Sequence, residues 1–326
     1  MRTSTKLLVL LLLLSVSLSK VDVSFSQSQP INNAQTEIQT AYNALIDAYN
    51  AGGNVNELIT QLNEALNLTA QAESINNTDP NQAQTLASEA QALAQNVTQE
   101  APTVKNQGIH QEQIVMITLA ASVTALIIAG IFVYVSGPKA LWKMWLKLRK
   151  NYRVKVKKSS TQNKGLIITS KEVCAIILGA TIIIAFFAVS QVYFAGRVTE
   201  PFSELGILGP TMQLGNYPTE IVAGQTVNLY AYVGNQMGSP IYYTVMVKLG
   251  DNTTIVNPSP IEPNLQFEQI LANNETWTFP VNVTLTQAGL NQRIIFELWT
   301  YNQTLNQNQY AQVWDQLWLN VTAPAT

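Results

Sequence analysis

Cysteine and histidine are almost absent: Cys174 and His110 are single occurrences in 326 residues. One cysteine excludes an internal disulfide framework and a thiolate metal cluster. One histidine leaves no His-Glu-x-x-His zinc motif, and a Ser-His-Asp triad would have to recruit His110 from the approach to a long apolar run. No glycine-rich phosphate loop is present. The sequence thus offers no metal, no cofactor and no catalytic constellation, and the expectation is a non-enzymatic protein. Charge is scarce too. Asp, Glu, Lys and Arg make up 12% of the chain, against roughly 25% in an ordinary soluble domain. Asn, Gln, Ser and Thr supply solubility instead, which fits either an acidic exterior or compositional drift.

The missing charges are also unevenly placed. Residues 137–171 hold 11 of the 18 Lys and Arg and no Asp or Glu. Residues 21–111 hold one basic and nine acidic residues, and residues 201–326 hold two basic and eight acidic. No basic face is left on these outer regions to neutralise phosphates, so a nucleic-acid partner is excluded there. Uncharged apolar runs, Ile114–Val135 and Val173–Ala195, flank the basic stretch. Each is long enough to cross a hydrocarbon core of about 30 Å as a helix. Basic loops stay on the cytoplasmic side. The expected layout is therefore a signal peptide over 1–26, an extracellular helical domain over 27–111, and transmembrane helices over 112–136 and 172–196. A basic cytoplasmic loop fills 137–171, and an extracellular β domain follows over 197–326.

The N-terminal reading rests on Arg2 and Lys6 before the short apolar run Leu7–Leu14, with small residues at Ser17, Ser19, Ser24 and Ser26 for cleavage. Between residues 30 and 100 the period is helical. Ile31, Ile38, Tyr42, Leu45 and Tyr49 share one stripe; Val55, Leu58, Leu62, Leu66 and Thr69 share a second; Leu86, Ala90, Leu93 and Val97 share a third. Gly52 and Gly53 end the first helix, and Asp79 with Pro80 caps and starts the third. A helical hairpin or three-helix bundle of coiled-coil character follows, with a linker over Ala101–Gln111. The stripes are rich in Ala and thin, so a neighbouring chain or the C-terminal domain must complete the packing. Inside the loop, Pro138–Lys150 reads as an amphipathic helix in the headgroup layer, with Lys139, Lys143, Lys147 and Lys150 toward lipid heads and Trp145 at the interface. Arg153–Lys157 alternates with period two. Docking of an acidic cytosolic partner is the alternative use of this loop.

Beyond Pro201 the period is two. Val227–Val233, Ile241–Leu249, Trp277–Leu285, Ile294–Leu298 and Val313–Val321 alternate between apolar and polar positions, separated by turn-rich pieces. That spacing predicts an antiparallel sandwich of immunoglobulin-like type. Eight Asn-x-Ser/Thr acceptors, Asn67, Asn76, Asn96, Asn252, Asn274, Asn282, Asn302 and Asn320, all fall in the two regions placed outside. Glycosylation is expected. Tyr230, Tyr232, Tyr242, Trp299, Trp314 and Trp318 sit at outward positions of the alternation. They form either a glycan- or partner-binding face or a second packed surface against the helices. Glu204, Glu297 and Asp315 are the carboxylates a hydrolase would use. The simpler expectation puts Glu297 on a surface strand and Asp315 inward, hydrogen-bonded to Arg293 or displaced by a bulge.

Five short stretches carry a family resemblance: Phe202-Ser-Glu-Leu-Gly-Ile-Leu-Gly-Pro210, Tyr217-Pro-Thr219, Gly224-Gln-Thr-Val227, the run Gly234–Val247, and Phe296-Glu-Leu-Trp299. Together they resemble the archaeal membrane-protein family catalogued as domain of unknown function 1616, over about residues 196–322. The resemblance implies an archaeal membrane protein with an extracellular β-sandwich and no established biochemical role. The Tyr-Pro-Thr and Gly pattern is also similar to adhesion modules, and the N-terminal part to helical hairpins of archaeal surface proteins. The expected function is a membrane-anchored scaffold, adhesin or accessory subunit of a surface complex. Its expected partners are lipids, other envelope proteins or further copies of itself. The alternative is a glycan- or peptide-binding receptor using the aromatic face.

Overall fold

The computed structural model describes residues 25–151, 170–194 and 200–324. The expected signal segment and the Arg153–Lys157 alternation lie outside them. The chain divides into two units, residues 1–109 with 198–326, and residues 110–197.

In the first unit, α1 (Phe25–Asn50) and α2 (Asn56–Ile75) join the N-terminal part of α3 (Pro80–Asn151). All three bury residues at alternating steps of three and four, the seam of a coiled coil. In α1 these are Ile31, Ala34, Ile38, Ala41, Leu45 and Ala48; for α2 they are Val55, just before its first turn, then Leu58, Leu62, Ala65, Thr69 and Ala72. The α3 stripe differs from expectation. Its buried positions are Ala83, Ala87, Ala90, Ala94, Val97 and Ala101, while Leu86 and Leu93 are only half-buried. Alanine presents a thin surface that lets backbones approach closely. Asp79 caps α3 as its sequence suggests, its Oδ1 accepting from the Gln82 N–H at 3.1 Å.

The linker expected over Ala101–Gln111 does not exist. This stretch is helical, and α3 continues through the apolar run and through Pro138–Lys150, which is therefore no separate helix. Its Gln, Lys and Val residues are compatible with a helix, and the helix runs on through Pro102 and Gly108, residues that ordinarily disfavour a helix interior. Gly108 is needed here for another reason. A Cβ at this position would lie 2.3 Å from the Gly53 nitrogen and 2.4 Å from the Ala51 carbonyl oxygen, so the α1–α2 turn rests directly on α3.

The C-terminal part of this unit is built from two sheets. One has the order β1-β3-β6, from β1 (Phe202–Leu208), β3 (Thr226–Gln236) and β6 (Thr276–Thr284). The other has the order β2-β8-β7-β4-β5, from β2 (Glu220–Val222), β8 (Gln307–Thr322), β7 (Gly289–Asn302), β4 (Ile241–Gly250) and β5 (Leu265–Leu271). All pairings are antiparallel except β2 with β8. Val227, Leu229, Ala231, Phe279 and Val281 from the first sheet share one core with Tyr243, Val245, Phe296, Leu298 and Leu319 from the second. Those five alternating runs are strands as read. β1, β2 and β5 are additional; burial in β1 and β5 does not alternate cleanly and β2 has only three residues, so period two is weak there. The register shifts between Leu298 and Trp299, opposite an extra Ala311 and Gln312 on β8. Gln312 takes a φ of 60° at this bulge.

The helices and the outer face of the five-stranded sheet form one core. Tyr42 of α1 lies 5.7 Å from the Tyr242 ring and 5.9 Å from the Tyr301 ring, both edge-on. Tyr242, Ile270 and Tyr301 are buried in the same cluster as the helix stripes. The Tyr42 hydroxyl donates to the Pro240 carbonyl at 3.2 Å and accepts from the Tyr242 N–H at 3.3 Å. Tyr49 donates to the Gly238 carbonyl at 2.7 Å. The thin alanine packing is thus completed by the chain's own C-terminal domain.

The second unit holds the apolar part of α3 and α4 (Ser170–Phe194). Ile114, Met116, Ile117, Ile128 and Phe132 are exposed, as are Ile176, Ile182, Ile183, Phe186 and Phe187. The two helices meet at Gly130, where a Cβ would come within 2.9 Å of Leu178 Cδ1. Small residues at such a contact are what lipid-embedded helices use to approach one another. Among the described residues, one helix is long and apolar enough to cross a membrane, and the apolar helical stretch Leu178–Gln191 is shorter.

Replacing Tyr42 tests the shared core. Tyr42→Phe leaves the Tyr242 N–H and the Pro240 carbonyl without their partner, at a cost of about 1–3 kcal/mol. Tyr42→Ala also opens a cavity and costs about 3–5 kcal/mol. Denaturant unfolding monitored on both helix and sheet signals should show the two moving together.

Candidate functional site

The helices cover only part of the five-stranded sheet. Where α2 runs beside β5, a cleft of about 530 Å³ opens, lined by Asn63, Glu64, Asn67, Ala70 and Glu73 of α2 and by residues 266–269 of β5. Gln35 of α1 and Trp277 of β6 complete it. The i, i+3, i+4 spacing of Asn63, Asn67, Ala70 and Glu73 sets them on one helix face. At one end, the Asn63 side chain grips the backbone of Ile270. Its Nδ2 donates to the Ile270 carbonyl at 2.9 Å, and its Oδ1 accepts from the Ile270 N–H at 2.8 Å.

Three carboxylates, Glu64, Glu73 and Glu268, line the cleft, and among the described residues no Lys, Arg or His does. Glu268 accepts the Tyr242 hydroxyl at 2.5 Å and the Gln266 amide at 2.7 Å. Glu73 accepts from Gln35 Nε2 at 2.6 Å. Desolvation by the surrounding protein, then the nearby charge of Glu268, holds the Glu73 carboxyl above its ordinary value; the Gln35 hydrogen bond opposes this only in part. Its side chain still reaches solvent. Burial likewise pushes the Tyr242 hydroxyl well up, with Glu268 adding to it, so it stays a donor.

The six outward aromatics are not one face. Tyr242 is buried under α1. Tyr230 and Tyr232 lie half-buried on the three-stranded sheet, where Tyr232 donates to Glu204 Oε2 at 3.0 Å. Trp299, Trp314 and Trp318 share the outer face of the five-stranded sheet, Trp299 and Trp314 half-buried and Trp318 exposed. Arg293 lies 3.9 Å over the Trp318 ring, and Tyr310 lies 5.4 Å from Trp299. Periodicity reports which side of a strand a residue takes, not what later covers it.

Glu297 departs from its expected surface setting. It is fully buried, paired with Lys248 Nζ at 2.9 Å, and accepts from Trp299 Nε1 at 3.2 Å and from the Ser259 N–H. Lys248 also donates to the Ser259 carbonyl at 2.7 Å. The segment between β4 and β5 folds over the sheet at this point and removes water from a position the alternation leaves outward. Asp315 does point inward, but its partner is the Ile207 N–H of β1 at 3.3 Å, not Arg293. Arg293 donates to the carbonyls of Thr254 and Asn252 instead. Glu204, Glu297 and Asp315 therefore have separate partners: Tyr232, Lys248 and the Ile207 N–H.

Among the acceptor asparagines, Asn67, Asn96, Asn252, Asn274 and Asn282 are exposed, while Asn76, Asn302 and Asn320 are half-buried. Asn302 Oδ1 accepts from the Thr304 and Leu305 N–H groups, and Asn320 Oδ1 from the Asn291 N–H. Lys143 and Lys147 are exposed on α3. The side chains of Lys139, Trp145, Lys150 and Cys174 lie outside the described residues. No group of three or more metal-ligating side chains occurs among the described residues.

Residues 197–322 match the model of a family described as a domain of unknown function, DUF1616. No curated protein matches the chain. Among solved structures, the CARDB domain of a Pyrococcus furiosus protein, in complex with di-metal ions, is similar at 14% identity with a TM-score of 0.26. The match covers 38% of this chain and 90% of that one. A β-glucosidase from Listeria innocua in complex with glucose is similar at 13% identity and a TM-score of 0.25, covering 37% of this chain. A β-glucosidase from Erythrobacter marinus is similar at 11% identity and a TM-score of 0.24, again over 37% of this chain. The chain spans 16% of the length of each of these two glucosidases.

Two outcomes are expected at these carboxylates. Lys248→Met strands Glu297 without its counter-charge and costs about 3–5 kcal/mol, while the double change Lys248→Met with Glu297→Gln restores more than half of that loss. Glu73 binds its proton more tightly in the folded chain, so its contribution to stability falls as pH rises from 4.5 through the raised value. Against the wild type, Glu73→Gln should therefore gain in Tm as pH increases from about 4 to about 8.

Proposed function

We propose that this chain is a non-enzymatic, membrane-anchored envelope protein whose outer head is assembled from both of its ends. Two helical crossings hold the head, the basic stretch 137–171 faces the cytoplasm, and the two-sheet part is an immunoglobulin-like sandwich. Its role is scaffolding, adhesion or support of a larger surface complex.

One observation carries this reading. Tyr42, before the apolar runs, packs between Tyr242 and Tyr301, after them. Groups sharing one core occupy one compartment, so the chain between them crosses a bilayer an even number of times. The exposed apolar surfaces of α3 and α4, and their meeting at Gly130, support a pair of crossings. The charge asymmetry supports the sidedness, since cationic loops are retained inside. The exposed acceptors Asn96, Asn252 and Asn282 suit an outer head, which glycans would shield.

Site-directed labelling tests it. In a Cys174→Ser background, single cysteines replacing Gln99, Thr253 or Ser159 are treated with a membrane-impermeant maleimide on intact cells. The first two positions should label at once and the third only after lysis. Labelling of Ser159→Cys without lysis, or protection of Gln99→Cys beside a labelled Thr253→Cys, refutes the topology.

A further inference from the structure

The cleft beside β5 contains an open strand edge. β5 is the last strand of its sheet and pairs only with β4. In an antiparallel ladder, alternate residues turn their N–H and C=O toward the neighbour and the rest turn theirs away. Ile270 gives both of its backbone groups to Asn63 of α2, so it belongs to the set turned away. Gln266 and Glu268 share its parity, and their backbone groups face the same open side. The cleft lies there, with Asn67 and Ala70 of α2 as its far wall. Asn63 thus fills, with one amide, the place that a neighbouring strand would take. Beyond it the place is vacant.

The walls also specify chemistry. A strand laid along β5 would project alternate side chains to opposite sides. On the side of α2 they would meet Glu64, Glu73 and Glu268; on the other, Phe267 and Trp277. Among the described residues no basic side chain lines the cleft to balance these carboxylates, and desolvation, then the charge of Glu268, raises the affinity of Glu73 for its proton. A second copy of the head is a poor donor, because its outer regions hold three basic residues in all, one in 21–111 and two in 201–326.

We propose that this cleft binds an extended segment of another protein by strand addition to β5, with basic side chains toward Glu73 and Glu268 and apolar ones toward Trp277. Main-chain hydrogen bonds supply the affinity, and the alternating walls supply the preference. The aromatic wall would also suit a sugar ring, but the edge backbone has no use for one.

The test uses the full chain in phosphatidylcholine nanodiscs and a fluorescein-labelled heptapeptide of alternating Lys and Val, with empty nanodiscs as background. Anisotropy should report binding that falls at least tenfold when alternate peptide nitrogens are methylated. It should fall similarly with Ala70→Trp, which fills the cleft, and with Gln266→Pro, which removes one edge N–H at a position where an edge strand tolerates proline. Melting curves establish that each variant is folded, and either folded variant is sufficient. Glu73→Gln with Glu268→Gln should weaken the lysine peptide and flatten its salt dependence. Absence of binding, equal binding of the methylated peptide, indifference to a folded cleft variant, or displacement by maltoheptaose each overturns the proposal.

Discussion

The N-terminal helices cannot close their own core. Their inner stripes alternate large residues with alanine, and the α3 stripe is alanine at nearly every position. Alanine adds little apolar area, so such a bundle holds together only if another surface covers what remains. Tyr242, Ile270 and Tyr301 provide that surface. The sheet in turn gains from the arrangement: Tyr242 and Tyr301 on its outer face are removed from water, and its edge at Ile270 is closed by the Asn63 amide. Edge strands left open invite unwanted pairing. Each part supplies what the other lacks.

The same economy appears at the buried Lys248–Glu297 pair. Two opposite charges removed from water stabilise a fold only when geometry and further hydrogen bonds offset their desolvation. Here both ions hold Ser259, Lys248 through its carbonyl and Glu297 through its N–H. The pair therefore fixes the β4–β5 segment onto the sheet and fixes where the covered area ends. What stays uncovered, from Gln266 to Gln269, borders the cleft.

Much of this was legible in the residues and some was not. Strands such as Val227–Val233 and Trp277–Thr284, buried on alternate positions, announce themselves by period two. The three helical stripes do so by steps of three and four. Short or unevenly buried strands, β2 and β5, carry too few alternations to be read. Continuity of α3 was hidden by Pro102 and Gly108, which ordinarily disfavour a helix interior, and by a polar composition common in linkers. Tyr242 and Glu297 both stand on the outer face, as the alternation predicts, and both are buried there for a shared reason. Sequence pattern separates the two faces of a strand but says nothing about a distant segment that later lands on the outer one. The cleft was invisible for the same reason, since it arises from the docking of α2 against a strand made far later in the chain.

That separation bears on biosynthesis. Tyr42 and its partner Tyr242 are 200 residues apart. At ribosomal rates of about 5–20 residues per second, the helices emerge roughly 10–40 s before the surface that completes them exists. Throughout that interval a nascent bundle stands with its seam unsealed. Any chaperone acting on this chain would have to recognise an alanine-lined helical trio carrying two unsheltered tyrosines, Tyr42 and Tyr49.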